Sequence, residues 1–452
     1  MNSKKLLISV SGIRGVVGAE DGLTPETAVR FGAAFGTFCK SGKIIIGSDT
    51  RPSRRMIIPA VCAGLIGCGR DIIDLGICPT PTVELAVKKM KAAGGIIITA
   101  SHNPPEWNAL KLLNSKGMFL SSTEGEKLLE IFKSAEFAYK PHNRLGRIYK
   151  EEFIQFHIDK IMKLDAVRTR AVQNRKFKVA LDCVNGAGAL LSPKLLKKLG
   201  CRVICLNCEP TGKFGRGPEP VPTNLRKLST AVKDNGCDIG FAHDPDADRL
   251  AIVDENGKAI GEEYTLAFAV DYILSHQKGA VAANLSTSRM IDDIASRYGV
   301  KVHRTKVGEI NVSLKLKSAK GVIGGEGNGG VIYPNLLYGR DGAVGIALIL
   351  SYLATTKKTV SEAVAGIPSY VMIKGKVDIT KEDIEKKKRR LISAFTDAKL
   401  NSDDGFKFEY KDKWIHIRAS NTEPISRVIA EAPGKSEAQE LIDTVKKALL
   451  TQ

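Results

Sequence analysis

Apolar and polar positions fall into short blocks along this chain. Short, largely apolar runs at residues 43–46, 95–98, 177–181 and 280–283 are rich in Ile, Val and Ala. Their length and β-branched content predict strands buried on both faces. Three of them begin the same series. The strand at 43–46 leads through the polar loop Gly47-Ser48-Asp49-Thr50-Arg51-Pro52 into a helical pattern to about 67 and a strand at 71–75. The strand at 177–181 leads through residues 182–188 into a helix to 199 and a strand from Cys201. The strand at 280–283 leads through Asn284-Leu285-Ser286-Thr287-Ser288 into a helix to 298 and a strand at 300–304. Each series is a βαβ unit, so three α/β domains of related design are expected. The end of the chain differs. A strand at 370–379, a helix at 381–395, a hairpin pairing 406–410 with 413–417, and a closing helix at 435–450 predict an α+β domain. The expected domains are 1–145, 146–257, 258–366 and 367–452.

Composition narrows the partners. At 452 residues and 43% hydrophobic content, the chain is too long for one core. A net charge of +19 calls for an anionic partner. The basic residues are dispersed, however, without aromatic interleaving. The dense run Glu385-Lys386-Lys387-Lys388-Arg389-Arg390 lies in a helical pattern and reads as a solvated face. A phosphorylated small molecule therefore fits better than nucleic acid. The longest apolar stretch, 344–353, falls short of the roughly 18 residues a membrane span needs and predicts a buried helix. Lys4-Lys5-Leu6-Leu7-Ile8 is too short for a signal segment, so a cytoplasmic location is expected. Nine cysteines, an odd number, argue against a disulfide framework. Cys201, Cys205 and Cys208 have the spacing of a radical iron–sulfur site, but their strand-like setting predicts ordinary buried thiols.

Four loops carry chemistry. Thr99-Ala100-Ser101-His102-Asn103-Pro104 ends a strand, and Asn103-Pro104-Pro105-Glu106 has the composition of a helix start. Ser101 then stands at the carboxyl end of a strand, where open α/β sheets bind ligands, although locally it reads as a turn cap. Asp244-Pro245-Asp246-Ala247-Asp248-Arg249 sits between two strands. In an extended loop its acids project to one side and suit a magnesium ion. An EF-hand is excluded, because Arg249 stands where that loop needs glycine and no helices flank it. Gly324-Gly325-Glu326-Gly327-Asn328-Gly329-Gly330 offers Glu326 and Asn328 to sugar hydroxyls across a backbone that a ligand can approach. Arg418-Ala419-Ser420-Asn421-Thr422-Glu423-Pro424, with Arg427, offers a guanidinium, hydroxyls and an amide to a phosphate. Ser11-Gly12-Ile13-Arg14-Gly15 and Lys111 are weaker signals.

Taken together and in this order, the motifs resemble the α-D-phosphohexomutase superfamily over essentially the whole chain, with the phosphoglucosamine mutase type most similar. The resemblance implies three α/β domains with mixed sheets and a terminal α+β domain around a central cleft. It implies a phosphoserine at Ser101 and one magnesium ion held by Ser101, Asp244, Asp246 and Asp248. Arg14, His102, Lys111 and Arg249 fall at positions around the phosphoserine. Lys306, Glu326 and Asn328 fall at sugar contacts, and Arg418, Ser420, Asn421, Thr422 and Arg427 at the distal phosphate. The implied reaction interconverts hexose 6-phosphate and 1-phosphate through a hexose 1,6-bisphosphate, in a monomer or homodimer. The sugar is glucosamine, with glucose and mannose as alternatives; a magnesium-dependent sugar phosphatase is the rival reading. The chain departs from the family at Asn328 and Gly330, where many members carry Ser and His. On this reading Ser101→Ala leaves a folded protein whose mutase rate falls by orders of magnitude; near-normal turnover of that variant would remove the phosphoserine assignment.

Overall fold

The computed structural model describes residues 6–9, 12–419 and 425–450. One strand order recurs three times. In the first sheet Ile44–Ser48 lies between Ile72–Ile77 and Gly94–Ile98, all parallel, and Trp107–Asn114 runs antiparallel to Gly94–Ile98. In the second, Lys178–Asp182 lies between Arg202–Leu206 and Ile239–His243, with Leu250–Val253 antiparallel to the latter. In the third, Val281–Asn284 lies between Val302–Thr305 and Ile323–Glu326, with Gly330–Ile332 antiparallel. Every unit thus reads fourth, third, first, second across its sheet, and only the fourth strand is reversed. The first sheet also gains Gly12–Val16 and Leu7–Ser9 on one edge and Ile148–Lys150 on the other, making seven strands. Strand blocks such as Ile44–Ser48 and Gly94–Ile98 are buried along their full length, as largely apolar runs require.

The last domain is a five-stranded antiparallel sheet in the order Val371–Val377, Ser426–Ala432, Trp414–Ala419, Phe406–Glu409, Lys399–Asn401, covered by Lys435–Leu450. The expected hairpin pairs Phe406 with Ile417 and Glu409 with Trp414. The helix expected over 381–395 is instead two, Lys381–Lys386 and Lys388–Ala394, meeting at Lys387. The break lets Ile384 and Leu391 both reach the core while Lys388, Arg389 and Arg390 stay in solvent. The apolar stretch at 344–353 lies within the buried helix Gly342–Thr356. Asp341 caps that helix, its Oδ1 accepting the amides of Ala343 at 2.8 Å and Val344 at 3.2 Å. Among the described residues no helix is long and apolar enough to cross a membrane.

Two other expectations change. No helix starts at Asn103. Residues 99–106 form turns, and the chain enters Trp107–Asn114, which hydrogen-bonds to strands on both sides. Two ladders and the burial of Leu110, Leu112 and Leu113 outweigh a local helix signal. Of the three closely spaced cysteines only Cys201 is buried. Cys208 is partly exposed and Cys205 exposed, because Arg202–Leu206 is an edge strand.

Helices Pro25–Phe38 and Arg54–Gly67 cross at small residues. A Cβ on Gly64 would lie 2.2 Å from the Val29 carbonyl oxygen and 2.5 Å from the Ala33 nitrogen. Gly64→Ala gains about 1 kcal/mol of helix propensity. It also forces two backbones apart, and overpacking of this kind costs about 1–3 kcal/mol. The expected outcome is a lower midpoint in urea unfolding; a raised midpoint would contradict the close helix crossing.

Candidate active site

In each repeated unit the turn between the third and fourth strands faces the same cleft. These turns are residues 99–106, 244–249 and 327–329, so three of the four loops singled out by sequence occupy one topological position. The place is the carboxyl end of a parallel strand, where backbone polar groups and side chains are free to face a ligand.

Ser101 has φ 49°, a left-handed conformation that costs a non-glycine residue about 1–3 kcal/mol. Arg51 holds it there. This fully buried guanidinium donates to the carbonyls of Ser101 at 2.6 Å, Asn103 at 2.7 Å and Pro104 at 2.6 Å, and is itself fixed by Asp49 at 3.1 Å. The Ser101 amide donates to Thr99 Oγ1 at 2.9 Å, and Thr99 Oγ1 to Asp49 at 2.6 Å. The result aims Ser101 Oγ at Asp244 Oδ2, 2.7 Å away, across the boundary between the first two domains.

The acid loop is bracketed by His243, whose Nε2 lies 2.8 Å from Ser192 Oγ and whose Nδ1 lies 3.0 Å from the Arg249 carbonyl. Burial lowers the His243 pKa to about 4, so it stays neutral. Asp244, Asp246 and Asp248 are all fully buried, and each offers one oxygen to a group spanning no more than 4.8 Å. Asp246 Oδ2 accepts Lys111 Nζ at 2.7 Å and Thr80 Oγ1 at 2.6 Å. Asp248 Oδ2 accepts Arg340 Nη2 at 2.6 Å and Lys111 Nζ at 3.5 Å. The Oδ1 atoms of Asp246 and Asp248 are buried without a hydrogen-bond partner. Burial, then the charges of Asp248 and Asp246, push the Asp244 carboxyl well above its usual range. Hard oxygens left open and mutually repelling in a dry site fit a divalent cation, and these three residues can hold one.

Four basic groups ring Ser101 and the acids. Arg14 Nη1 donates to Asn103 Oδ1 at 2.6 Å, and burial together with repulsion from Arg249 lowers its pKa to about 10. Burial works against the Lys111 charge, but Asp246 and Asp248 outweigh it and hold its pKa above the usual value. Arg249 reaches Glu219 at 3.1 Å, while its Nε is buried without a hydrogen-bond partner. His102 Nδ1 lies 3.4 Å from Ser101 Oγ; burial and Arg249 push this imidazole well below its usual pKa.

On the third domain Glu326 ends a strand with both oxygens engaged. Oε1 accepts from Asn284 at 2.7 Å and the Gly308 amide at 3.0 Å, and Oε2 from Arg340 at 3.0 Å. Asn328 Oδ1 is buried without a partner. Lys306 is exposed, two residues before Gly308. On the fourth domain Arg418 and Arg427 sit directly opposite each other on paired strands. Like charges so placed repel, and burial together with Arg427 works against the Arg418 charge. Asp404 offsets part of this at Arg418. Ser420, Asn421 and Thr422 lie outside the described residues. The two domains are joined beside this spot by Ser286 Oγ to His416 Nδ1 at 2.9 Å and the Val307 amide to Asp404 at 2.9 Å.

Sequence reasoning did not single out Arg51, Thr80, Glu219 or Arg340. Arg51 had a usable signal, its place in the loop after the first strand of a βαβ unit. Thr80 and Arg340 are distant in sequence from the acids they touch, Glu219 is distant from Arg249, and no local pattern marks them.

Four models of the phosphoglucomutase/phosphomannomutase family match in succession: alpha/beta/alpha domain I over 5–139, II over 155–257, III over 261–370, and the C-terminal domain over 376–448. A phosphoglucomutase/phosphomannomutase of Thermococcus kodakarensis is 39% identical, covering 98% of each chain. A probable phosphoglucosamine mutase of Methanopyrus kandleri is 37% identical over 96% of this chain and 95% of its own. The crystal structure of a phosphoglucomutase/phosphomannomutase family protein from Burkholderia thailandensis superposes with a TM-score of 0.85 at 26% identity, covering 98% of each chain.

Titration with Mn2+, followed by EPR, is expected to show one tight ion per chain. Asp246→Asn and Asp248→Asn should each weaken it at least about tenfold, the effect of about 1.4 kcal/mol. Unchanged binding in both would mean that the ion sits elsewhere.

Proposed function

The chain belongs to the phosphoglucomutase/phosphomannomutase family of phosphohexomutases, and on that footing we propose that it interconverts glucosamine 6-phosphate and glucosamine 1-phosphate through a phosphoserine at Ser101 and a hexose 1,6-bisphosphate. The carrying observation is the 2.7 Å contact of Ser101 Oγ with Asp244, beside the two open oxygens of Asp246 and Asp248.

Phosphoryl transfer depends on positioning and on neutralising charge at the transferred group. Asp244, Asp246 and Asp248 would hold magnesium, which would supply positive charge for the transferred phosphoryl group. Arg249 and Lys111 add fixed cations on the same side. The strained Ser101 backbone, clamped by Arg51, keeps Oγ in line through two transfers, one out to the sugar and one back. A proton must leave the attacking sugar hydroxyl. Arg14, bonded to Asn103, and Lys111, bonded to Asp246, are the two candidates to take it. Asn328 Oδ1 is an open acceptor for a sugar hydroxyl, and Glu326 holds the loop that presents it. Arg418, Arg427 and Lys306 hold the distal phosphate, at the place where the fourth domain docks on the third. The bisphosphate turns between these two grips without leaving. Glucosamine is favoured by the likeness to the phosphoglucosamine mutase relatives.

Side-by-side kcat/KM for the 6-phosphates of glucosamine, glucose and mannose tests the assignment, with glucosamine expected to lead. Release of free sugar and inorganic phosphate with no 1-phosphate would replace it with a phosphatase. Arg418→Met should raise KM for the phosphosugar about tenfold to a hundredfold, the loss of one charge-assisted hydrogen bond; an unchanged KM would move the distal phosphate elsewhere.

A further inference from the structure

Arg340 is the one cation that touches both the acid loop and the sugar loop among the contacts described above. Its Nη2 meets Asp248 Oδ2 at 2.6 Å, its Nη1 meets Glu326 Oε2 at 3.0 Å, and its Nε meets Glu309 Oε2 at 2.9 Å. Its own amide donates to Glu309 Oε1 at 3.0 Å, so the carboxylate of Glu309 orients both its main chain and its fork. The residue is 7% exposed. Its aliphatic stem lies over Gly330: a Cβ there would stand 2.2 Å from Arg340 Cδ and 2.9 Å from Cγ. The absence of a side chain at 330 is therefore what admits the arginine.

We propose that Arg340, seated in the space left by Gly330, is a positioning residue that fixes the distance and orientation between the cation-facing oxygen of Asp248 and the sugar loop at Glu326. By taking Asp248 Oδ2 it leaves only Oδ1 to a cation. By taking Glu326 Oε2 it pins the end of the strand from which Asn328 projects. The two loops belong to different domains, and the guanidinium is the rigid spacer between them. Lysine preserves the charge but has one nitrogen where three directions are needed, so it does not replace the fork. Misplacing reacting groups by about 1 Å costs about a hundredfold in rate.

The proposal rests on the mutase reading for its rate arm only. Arg340→Lys keeps the positive charge beside Asp248, Glu309 and Glu326 and is expected to fold. Its kcat should fall about a hundredfold while KM for glucosamine 6-phosphate moves no more than about threefold. Gly330→Ala adds one methyl, far closer to Arg340 Cδ at 2.2 Å than to Asn328 Oδ1 at 3.1 Å, and should lower kcat by displacing the Arg340 stem. The double variant should fall no further than the worse single one, since both act through one fork. A kcat for Arg340→Lys within about threefold of the parent, or losses that multiply in the double variant, would overturn the proposal. A second arm needs no turnover. The EPR spectrum of Mn2+ bound to the free protein reads the geometry at Asp248, and Arg340→Lys and Gly330→Ala should each alter it. An unaltered spectrum in both would overturn the proposal, whereas a parent protein inactive on every hexose phosphate would sink the mutase reading and leave this arm standing.

Discussion

Carboxylates gathered in a dry cleft repel one another, and the way that repulsion is balanced organises the rest of the site. Asp244, Asp246, Asp248, Glu309 and Glu326 converge from two domains, all nearly or fully buried. Lys111 enters from the first domain and Arg340 from the third, and between them they engage one oxygen on each of Asp246 and Asp248. Burial and Arg340 pull Glu309 in opposite directions, and burial prevails, leaving its pKa at about 7. Glu84 lies behind them with both oxygens buried and unpartnered, and burial together with Glu309 raises its carboxyl well above the usual range. A carboxyl pushed toward its neutral form and the fork on the others are two answers to the same cost of burying charge. The oxygens left over are those that could hold a cation.

The same ion pairs serve as mortar between domains. Ser101 to Asp244, Lys111 to Asp246, and Arg340 to Asp248 each cross a domain boundary at hydrogen-bonding distance. Removing one partner leaves a buried charge uncompensated, so the geometry of the cleft and the docking of its domains are one problem. The fourth domain is attached to the third through a mixture of contacts, His416 to Ser286, the Val307 amide to Asp404 and Lys374 to Glu262. That attachment carries the Arg418–Arg427 pair, with Asp404 favouring the Arg418 charge.

Repetition explains how such a site is assembled from a single chain. Three units share a strand order, and in each the reversal between the third and fourth strands places a short loop at the carboxyl edge of the sheet. One copy presents the serine, one the acids and one the sugar loop. The loops differ in composition because the scaffold already fixes where they point.

By itself the chain's pattern determined the units. Largely apolar runs required buried strands, and the helix around 344–353, the hairpin around Lys411-Asp412 and the acid loop between two strands follow from local periodicity and turn chemistry. Ser101, the three aspartates and Glu326 were legible because their neighbours in sequence are also their neighbours in the loop. What only the tertiary structure decided were relations between distant segments. The stretch after Ser101 carries a helix start, yet it became a strand because two ladders compete with one capping bond. Arg51, 50 residues from Ser101, holds its strained backbone. Arg340 lies over Gly330 and is 92 residues from Asp248. Local pattern encodes which face of an element is apolar; it does not encode which charge, brought from another domain, will neutralise a buried acid.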